Sequence, residues 1–285
     1  MKTIADAYFA IGKAHAVCQD YARTGHVSGR LFAIVSDGCS SSPDTDFGAR
    51  LLTMAAIRCL PDSLYQDQIA WYERESVGLH APYGLSSRCL DATLLVVSEQ
   101  EDGTLRATAF GDGVLVARRW DGVLETWEID FHGAPGYISY LFDLSRLKQY
   151  LDEGYGERQV THRVGGEVVD IVKSQIKVNV ERGLLVLVDG MRWEHTFSKA
   201  EYDLVLWLSD GALSFQRKPE MEPIGLSEIV SCVTDIRVRT ESFLVRSAKY
   251  FLTKTCVERG WQHTDDFGAA GILVRNRDES LHPGE

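Results

Sequence analysis

The chain has 285 residues, 45% hydrophobic and 25% charged, which is ordinary for a globular protein and enough for one large domain or two small ones. Its formal net charge of -11 argues against non-specific binding to nucleic acid or to an anionic membrane surface, since both need basic patches. The acidic balance suits metal cations, and it is equally consistent with acids that only keep the protein soluble.

The first clear element is an apolar run, Leu31–Ser36, which is typical of a buried strand and stops at Asp37-Gly38. A helix is predicted next over Phe47–Leu60, from apolar residues at helical spacing. Short strands then dominate, several of them joined by Asp-Gly turns. The predicted strands are Thr93–Ser98, Leu105–Phe110, Val114–Trp120, Val123–Ile129, Glu167–Val172, Gln175–Val180, Leu184–Val188, Asp203–Leu208 and Gly271–Val274. Further helices are predicted over Ser139–Leu151, Leu226–Val233 and Glu241–Val257.

This order of elements predicts an α+β fold. Two antiparallel sheets packed face to face, with helices on both outsides, form a four-layer α-β-β-α sandwich that accommodates many strands and few helices. The strands and helices do not alternate, which argues against a Rossmann fold. No repeat or linker interrupts the sequence, so we expect a single domain spanning residues 1–285.

Asp-Gly pairs begin at positions 37, 102, 112, 121, 189 and 210. This dipeptide is the favoured two-residue hairpin turn, and we interpret the pairs at 102, 121 and 189 as turns between strands. Asp37 and Asp210 differ, because each follows an apolar run ending in Ser and neither precedes an obvious partner strand. A strand end is a rigid place to mount a carboxylate, so these two are candidate functional residues. Asp112, with a glycine on either side, fits a turn or a loop that approaches a ligand.

Further acids stand at the ends of other predicted segments: Asp20 after the first one, and the pair Asp265-Asp266 before the last strand. An adjacent acid pair is usually a solvated loop. If these acids instead meet Asp37 and Asp210, they repel one another by several kcal/mol unless a cation lies between them. Ligation by oxygen alone favours Mg²⁺ or Mn²⁺ over Zn²⁺.

The order of these motifs resembles the metal-dependent serine/threonine protein phosphatases, the PPM or type 2C family, and its compact bacterial members most closely. The resemblance runs from about Gly12 to Val274. Its six motifs are Cys18-Gln19-Asp20, Val35-Ser36-Asp37-Gly38, Asp91-Ala92-Thr93-Leu94, Gly111-Asp112-Gly113, Leu208-Ser209-Asp210-Gly211 and Asp265-Asp266.

The resemblance implies an enzyme that hydrolyses phosphoserine and phosphothreonine on proteins, with a metal-activated water and two Mn²⁺ or Mg²⁺ ions per chain. It implies a phosphorylated protein as substrate and a role in signalling. Asp112 matches a position that holds a third, weaker metal in some members. The chain has no sequence signature of a covalent phosphatase or hydrolase nucleophile, which agrees with direct attack by water.

The resemblance also implies the roles of the remaining acids. Asp37 would bridge the two metals and is the central catalytic residue, while the carbonyl of Gly38 binds one of them. Asp210 and Asp265 would hold the other metal, and Asp20 would act directly or through metal-bound water.

The sequence departs from the family pattern in four places. His15 stands where an Arg often holds the substrate phosphate; it could donate to phosphate or protonate the leaving alkoxide as a second catalytic residue, or be an ordinary histidine. Gln19 replaces a common Glu, and Cys39 stands where some members carry His. Gly268 falls where Thr or Ser is common. These changes affect the expected substrate affinity and rate more than the metal site.

Nothing in the sequence indicates secretion or membrane insertion. No two of the six cysteines form a CxxC pair, and we interpret them as reduced thiols. The first residues lack a signal-peptide pattern. No window approaches 18 unbroken apolar residues, the length needed to span a membrane. We therefore expect a cytoplasmic monomer that binds neither membranes nor nucleic acid.

Two other interpretations remain at this point. The chain could be a weak or inactive regulatory module that keeps the phosphatase fold, as His15 and Gln19 suggest. Alternatively, its Asp-Gly pairs could all be hairpin turns in an unrelated β-protein.

Overall fold

The computed structural model describes residues 1–60, 78, 80–181, 184–236 and 240–275, and its centre consists of two antiparallel sheets. The first sheet contains, in spatial order, β1 (Lys2–Ala10), β17 (Phe267–Arg275), β13 (Tyr202–Leu208), β6 (Gly113–Arg119), β7 (Leu124–Phe131), β8 (Glu157–Val164) and β9 (Glu167–Gln175). The second contains β12 (Arg192–Phe197), β5 (Leu105–Phe110), β4 (Leu94–Glu99), β3 (Arg30–Ser36) and β2 (Tyr21–Val27). Smaller sheets pair β10 (Lys177–Glu181) with β11 (Leu184–Asp189), and β14 (Phe215–Arg217) with β15 (Glu222–Pro223) and β16 (Trp261–His263).

The two large sheets face each other across a continuous apolar core. Trp207 of β13 is fully buried, and its indole N–H donates to the carbonyl of Val96 in β4, 3.0 Å away, which links one sheet to the other. Every residue of β13 is buried, because one face meets the second sheet and the other meets a helical layer. This burial on both faces explains the continuous apolar run Leu204–Leu208 within the strand.

Helices cover both outer faces and complete the predicted four-layer α+β sandwich. Helix α1 (Thr45–Cys59) packs on the second sheet through Leu52 and Ala56. Helices α3 (Leu226–Val233), α4 (Phe243–Tyr250) and α5 (Cys256–Arg259) cover the first sheet, and α2 (Leu144–Asp152) lies between β7 and β8 in the chain. Among the described residues, no helix combines the length and the apolar character needed to cross a membrane.

Several predicted elements differ from the structure in their bounds. The predicted helix over Ser139–Leu151 is a 3-10 turn, Ile138–Phe142, followed by α2, because the Asp143 side chain accepts from the first amides of α2 and starts a new helix there. The predicted helix over Glu241–Val257 is divided into α4, a π-helical turn and α5.

Other differences concern strands. Strands β1, β2 and β8 have no counterpart in the sequence prediction. Asp189-Gly190 lies between the two strands β11 and β12, as predicted, but these strands do not pair with each other: β11 pairs with β10, and β12 pairs with β5.

A buried carboxylate ties four strands of the first sheet together. Glu125 of β7 is 2% exposed and accepts hydrogen bonds from Arg119, from the Tyr202 hydroxyl at 3.0 Å and from His162 at 3.0 Å. Burial by itself raises the pKa of Glu125, but these three hydrogen bonds outweigh it and hold the pKa below its ordinary value.

Glu125→Gln is expected to lower the free energy of unfolding by about 2 kcal/mol at pH 7, because the amide cannot replace three charge-assisted hydrogen bonds. A carboxylate with a depressed pKa stabilises the fold above its unfolded-state pKa and loses that effect as the pH falls through the folded-state pKa. The deficit measured by urea unfolding should therefore shrink below about pH 4. Glu157→Gln, at a half-exposed site paired with Lys173, is the control and should change little. A deficit independent of pH would contradict this account.

Candidate metal centre

The strand registers bring the predicted acids to one end of the sandwich. In the second sheet, Tyr21 pairs with Ser36, so Asp20 before β2 and Asp37 after β3 leave the sheet side by side. In the first sheet, Leu208 lies opposite Val114 and Ala269, which places Asp210 at the same end as Asp112 and as the pair 265–266. Antiparallel pairing therefore groups acids that are far apart in the sequence.

Three of these carboxylates are in direct contact. Asp37 lies within hydrogen-bonding distance of both Asp20 and Asp210, so it occupies the middle of the group. Asp20 is fully buried, and its Oδ2 accepts from the Ser209 hydroxyl at 2.7 Å. The remaining oxygen of Asp20, Oδ1, and Oδ1 of Asp210 are buried without a hydrogen-bond partner.

Burial is the main reason that these acids resist ionisation. It raises the pKa of Asp20 to about 7 and that of Asp112 to about 8, and in both cases the charge of Asp210 adds to the effect. The pKa of Asp37 is raised well above its ordinary value by burial and by the charges of Asp20 and Asp210, and burial also raises that of Asp210. Such a group needs either protons or a cation to compensate its charge.

The chemistry of the donors fits a hard divalent cation. The three contacting side chains offer oxygen only, and two of their buried oxygens have no partner. Within the described ranges, however, no set of three or more His, Cys, Asp or Glu side chains is already arranged as a metal cage. The residues therefore suit Mg²⁺ or Mn²⁺ in kind, while their side chains would adjust on binding.

The two members of the pair Asp265-Asp266 lie in different environments. The Asp265 side chain is 42% exposed, and its carboxylate lies 3.4 Å from Nε2 of His15. The Asp266 side chain is 1% exposed and accepts from the amides of Gly12 at 2.7 Å and Gln19 at 2.6 Å. Asp266 therefore fixes the segment that carries His15, a positioning role that the sequence analysis did not assign to it.

His15 lies between these two acids. Its Nδ1 is 3.0 Å from Asp266, although the angle does not make a linear hydrogen bond, and its side chain is 21% exposed. The contact with Asp266 is the main cause that raises the pKa of His15. The structure thus places His15 at the acidic centre.

The glycine that follows each central acid allows another segment to pass very close. A Cβ on Gly211 would lie 1.6 Å from the carbonyl oxygen of Asp266, and one on Gly38 would lie 2.8 Å from that of Thr45. The Asp-Gly motif at these two sites is therefore a requirement of close packing and not a hairpin turn.

A further buried acid, Asp91, belongs to one of the six sequence motifs and has a clear structural role. It is 2% exposed and accepts from Ser42 at 2.7 Å, Ser139 at 2.6 Å and Arg146 at 2.8 Å. Asp91 thereby holds the serine-rich loop after Gly38 against the segment that precedes β8. The number of its partners depends on tertiary contacts, which the sequence pattern did not reveal.

Gly211→Ala is expected to destabilise the protein by about 3 kcal/mol, because the new methyl group meets backbone that cannot rotate away. Gly225→Ala is the matched control, since Gly225 has an ordinary negative φ and no atom within 4 Å of the added carbon. Chemical denaturation of both variants measures the difference. Equal stability of the two variants would show that the close approach at Gly211 is not a constraint.

Comparisons with known proteins agree with this geometry. Residues 12–139 match the family model described as Protein phosphatase 2C. No curated protein matches the sequence. Among solved structures, the chain is similar to a serine/threonine phosphatase from Staphylococcus aureus, with 10% identity, coverage of 97% of this chain and 96% of that chain, and a TM-score of 0.54.

Two mycobacterial structures have the same fold. The serine/threonine phosphatase of Mycobacterium tuberculosis shows 12% identity, 96% and 99% coverage and a TM-score of 0.51. The PPM Ser-Thr phosphatase of Mycobacterium smegmatis shows 13% identity, 95% and 98% coverage and a TM-score of 0.51. The sequence match over residues 12–139 and this shared fold confirm the resemblance to the PPM, or protein phosphatase 2C, family that is seen in the sequence.

Proposed function

We propose that the chain is a metal-dependent phosphoprotein phosphatase that hydrolyses phosphoserine and phosphothreonine. The observation that carries this proposal is the contact of Asp20, Asp37 and Asp210 at one end of the sandwich, with two buried oxygens lacking a partner. Three carboxylates in contact are compatible with a folded site when a cation compensates them. On this proposal, residues 1–285 form one phosphatase-like domain.

The residues that would hold the metals follow from their positions. Asp37 would contact both ions because it lies between Asp20 and Asp210, and the Gly38 carbonyl would bind one of them. Asp265 would complete the group with Asp210, whose pKa it raises through its charge. When bound, two Mn²⁺ or Mg²⁺ ions supply an activated water and neutralise phosphate oxygens.

The chain's own residues would orient the substrate and move its proton. Burial and the charges of Asp210 and Asp265 raise the pKa of Asp112, and an acid in such surroundings would suit a third, weaker metal position. His15, which contacts Asp265 and Asp266, would donate a proton to the leaving serine or threonine oxygen. The contacts with Asp266 and Asp265 raise the pKa of His15, which favours the protonated imidazole that this role needs.

Purified protein is expected to release phosphate from p-nitrophenyl phosphate and from phosphoserine peptides when Mn²⁺ is added. Asp37→Asn should lower kcat by at least about a thousandfold, because it removes the charge that would bridge the ions. The control is Asp102→Asn, in an Asp-Gly turn whose exposed carboxylate accepts hydrogen bonds from Thr104, and it should keep full activity. Absence of turnover across metals and substrates would contradict the proposal.

Metal binding can also be measured without turnover. Mn²⁺ at about a hundred times its dissociation constant should stabilise the wild type by about 2.7 kcal/mol, which corresponds to roughly 5 to 10 °C in Tm. Asp37→Asn should show no such shift. Without metal, the same variant should be more stable than the wild type, because it relieves the repulsion of Asp37 by Asp20 and Asp210. A wild-type Tm unaffected by Mn²⁺ or Mg²⁺ would argue that the acids do not bind metal.

The alternative, a weak or inactive regulatory module with this fold, is favoured by one observation. His15 stands where the family often has a phosphate-binding arginine, and it contacts Asp265 and Asp266. It therefore cannot make the bidentate hydrogen bonds that an arginine makes to phosphate. Calorimetry combined with turnover distinguishes the two functions. Metal binding without phosphate release from any phosphopeptide would support the module.

A further inference from the structure

A polar cleft lies beside the acidic centre, and most of its lining residues belong to the segment between β7 and β8. Its volume is about 420 Å³. The residues that line it include Arg88, Tyr140, Arg146, Tyr150, Glu153 and Tyr155. The three tyrosine rings form a continuous wall, with centroids 4.8 Å apart between Tyr140 and Tyr150 and 5.4 Å apart between Tyr150 and Tyr155.

The cleft is joined to the proposed centre through Asp91. Gly38 forms a β-bridge with Ala92, and the amide of Cys39 donates to the carbonyl of Asp91 at 2.8 Å. The Asp91 carboxylate in turn accepts from Arg146 in the cleft wall. One short backbone connection therefore separates the cleft from the strand end that carries Asp37.

The two arginines of the cleft are held in different ways. Nη2 of Arg146 donates to both oxygens of Asp91, at 2.9 and 2.8 Å, and its guanidinium lies over the ring of Tyr140. Arg88 is 54% exposed, and its contacts with Asp91 at 4.0 Å and Ser42 at 3.5 Å are at the outer limit for such interactions. Arg146 thus neutralises Asp91, and the charge of Arg88 remains available at the mouth of the cleft.

The lining also carries one acidic residue, Glu153. Glu153 directly follows α2 and is seven residues after Arg146, which corresponds to about 10 Å along the helix axis. Its carboxylate accepts from the side chain of Gln149 at 2.8 Å. The lining of the cleft therefore combines the exposed positive charge of Arg88, the negative charge of Glu153 and a wall of tyrosine rings.

We propose that this cleft binds an acidic side chain of the substrate protein close to the phosphorylated residue, and that Arg88 determines this preference. The inference rests on the proposed function. An extended peptide advances about 3.5 Å per residue, so a carboxylate two to four positions from the phosphoserine reaches roughly 7 to 14 Å from it. The planar guanidinium of Arg88 can donate two parallel hydrogen bonds to a carboxylate. The tyrosine rings would pack against the aliphatic part of the same peptide.

The test compares two phosphoserine peptides that differ only in Asp or Asn at the flanking positions. For the wild type, kcat/KM should be about fivefold higher for the Asp peptide, the value of one partly exposed charge pair. Arg88→Gln should bring this ratio close to one, and Glu153→Gln should keep or raise it. The matched control is Arg259→Gln, which removes a similarly exposed arginine on the far helical layer and should keep the wild-type ratio.

Each outcome has a defined meaning. A wild-type ratio of one, or an unchanged ratio in Arg88→Gln, would overturn the inference even if both peptides are hydrolysed. If neither peptide is hydrolysed, the proposed function fails, and fluorescence anisotropy of the labelled peptides then tests the cleft alone. Tighter binding of the Asp peptide that is lost in Arg88→Gln would support it, and equal binding of both peptides would refute it.

Discussion

The mutual repulsion of the carboxylates of Asp20, Asp37 and Asp210 is the constraint on which the rest of the structure depends. Two unit charges 4 Å apart near a protein surface repel by about 4 kcal/mol, and burial adds to the cost of each charge. The three acids come from both large sheets, so this repulsion acts to separate the sheets at one end. The remaining contacts of the fold oppose that separation.

The opposing contacts are apolar in the interior and polar at the edge. Between the sheets, the core includes the buried Trp207 with its hydrogen bond to Val96. At the edge, Ser209 accepts from the amide of Gly268 and donates to Asp20, which connects the ends of both sheets. The charged cluster is thus built on rigid strand ends, and a side chain mounted there can keep its position while a ligand binds.

The sequence was most informative where the chain is buried on both faces. Strand β13 was predicted almost to its bounds because its apolar run is continuous, whereas β2 is a polar edge strand without a recognisable pattern. For the same reason, the acids that end buried strands were recognisable as a set. The distinct roles of Asp265 and Asp266 were not, because the burial of Asp266 depends on the amide of Gly12, 254 positions away in the chain.

Because the net charge is -11, the few cationic groups near the proposed centre are important for binding an anionic substrate. A phosphorylated protein is itself anionic, so most of the surface repels it, and attraction must come from local cations. A histidine at position 15, enclosed by two acids, supplies little net positive charge. On the proposals made above, the attraction would come from the metals at the centre and from Arg88 beside it. Recognition would then depend on the sequence flanking the phosphate, because the phosphate itself meets no fixed arginine at the histidine position.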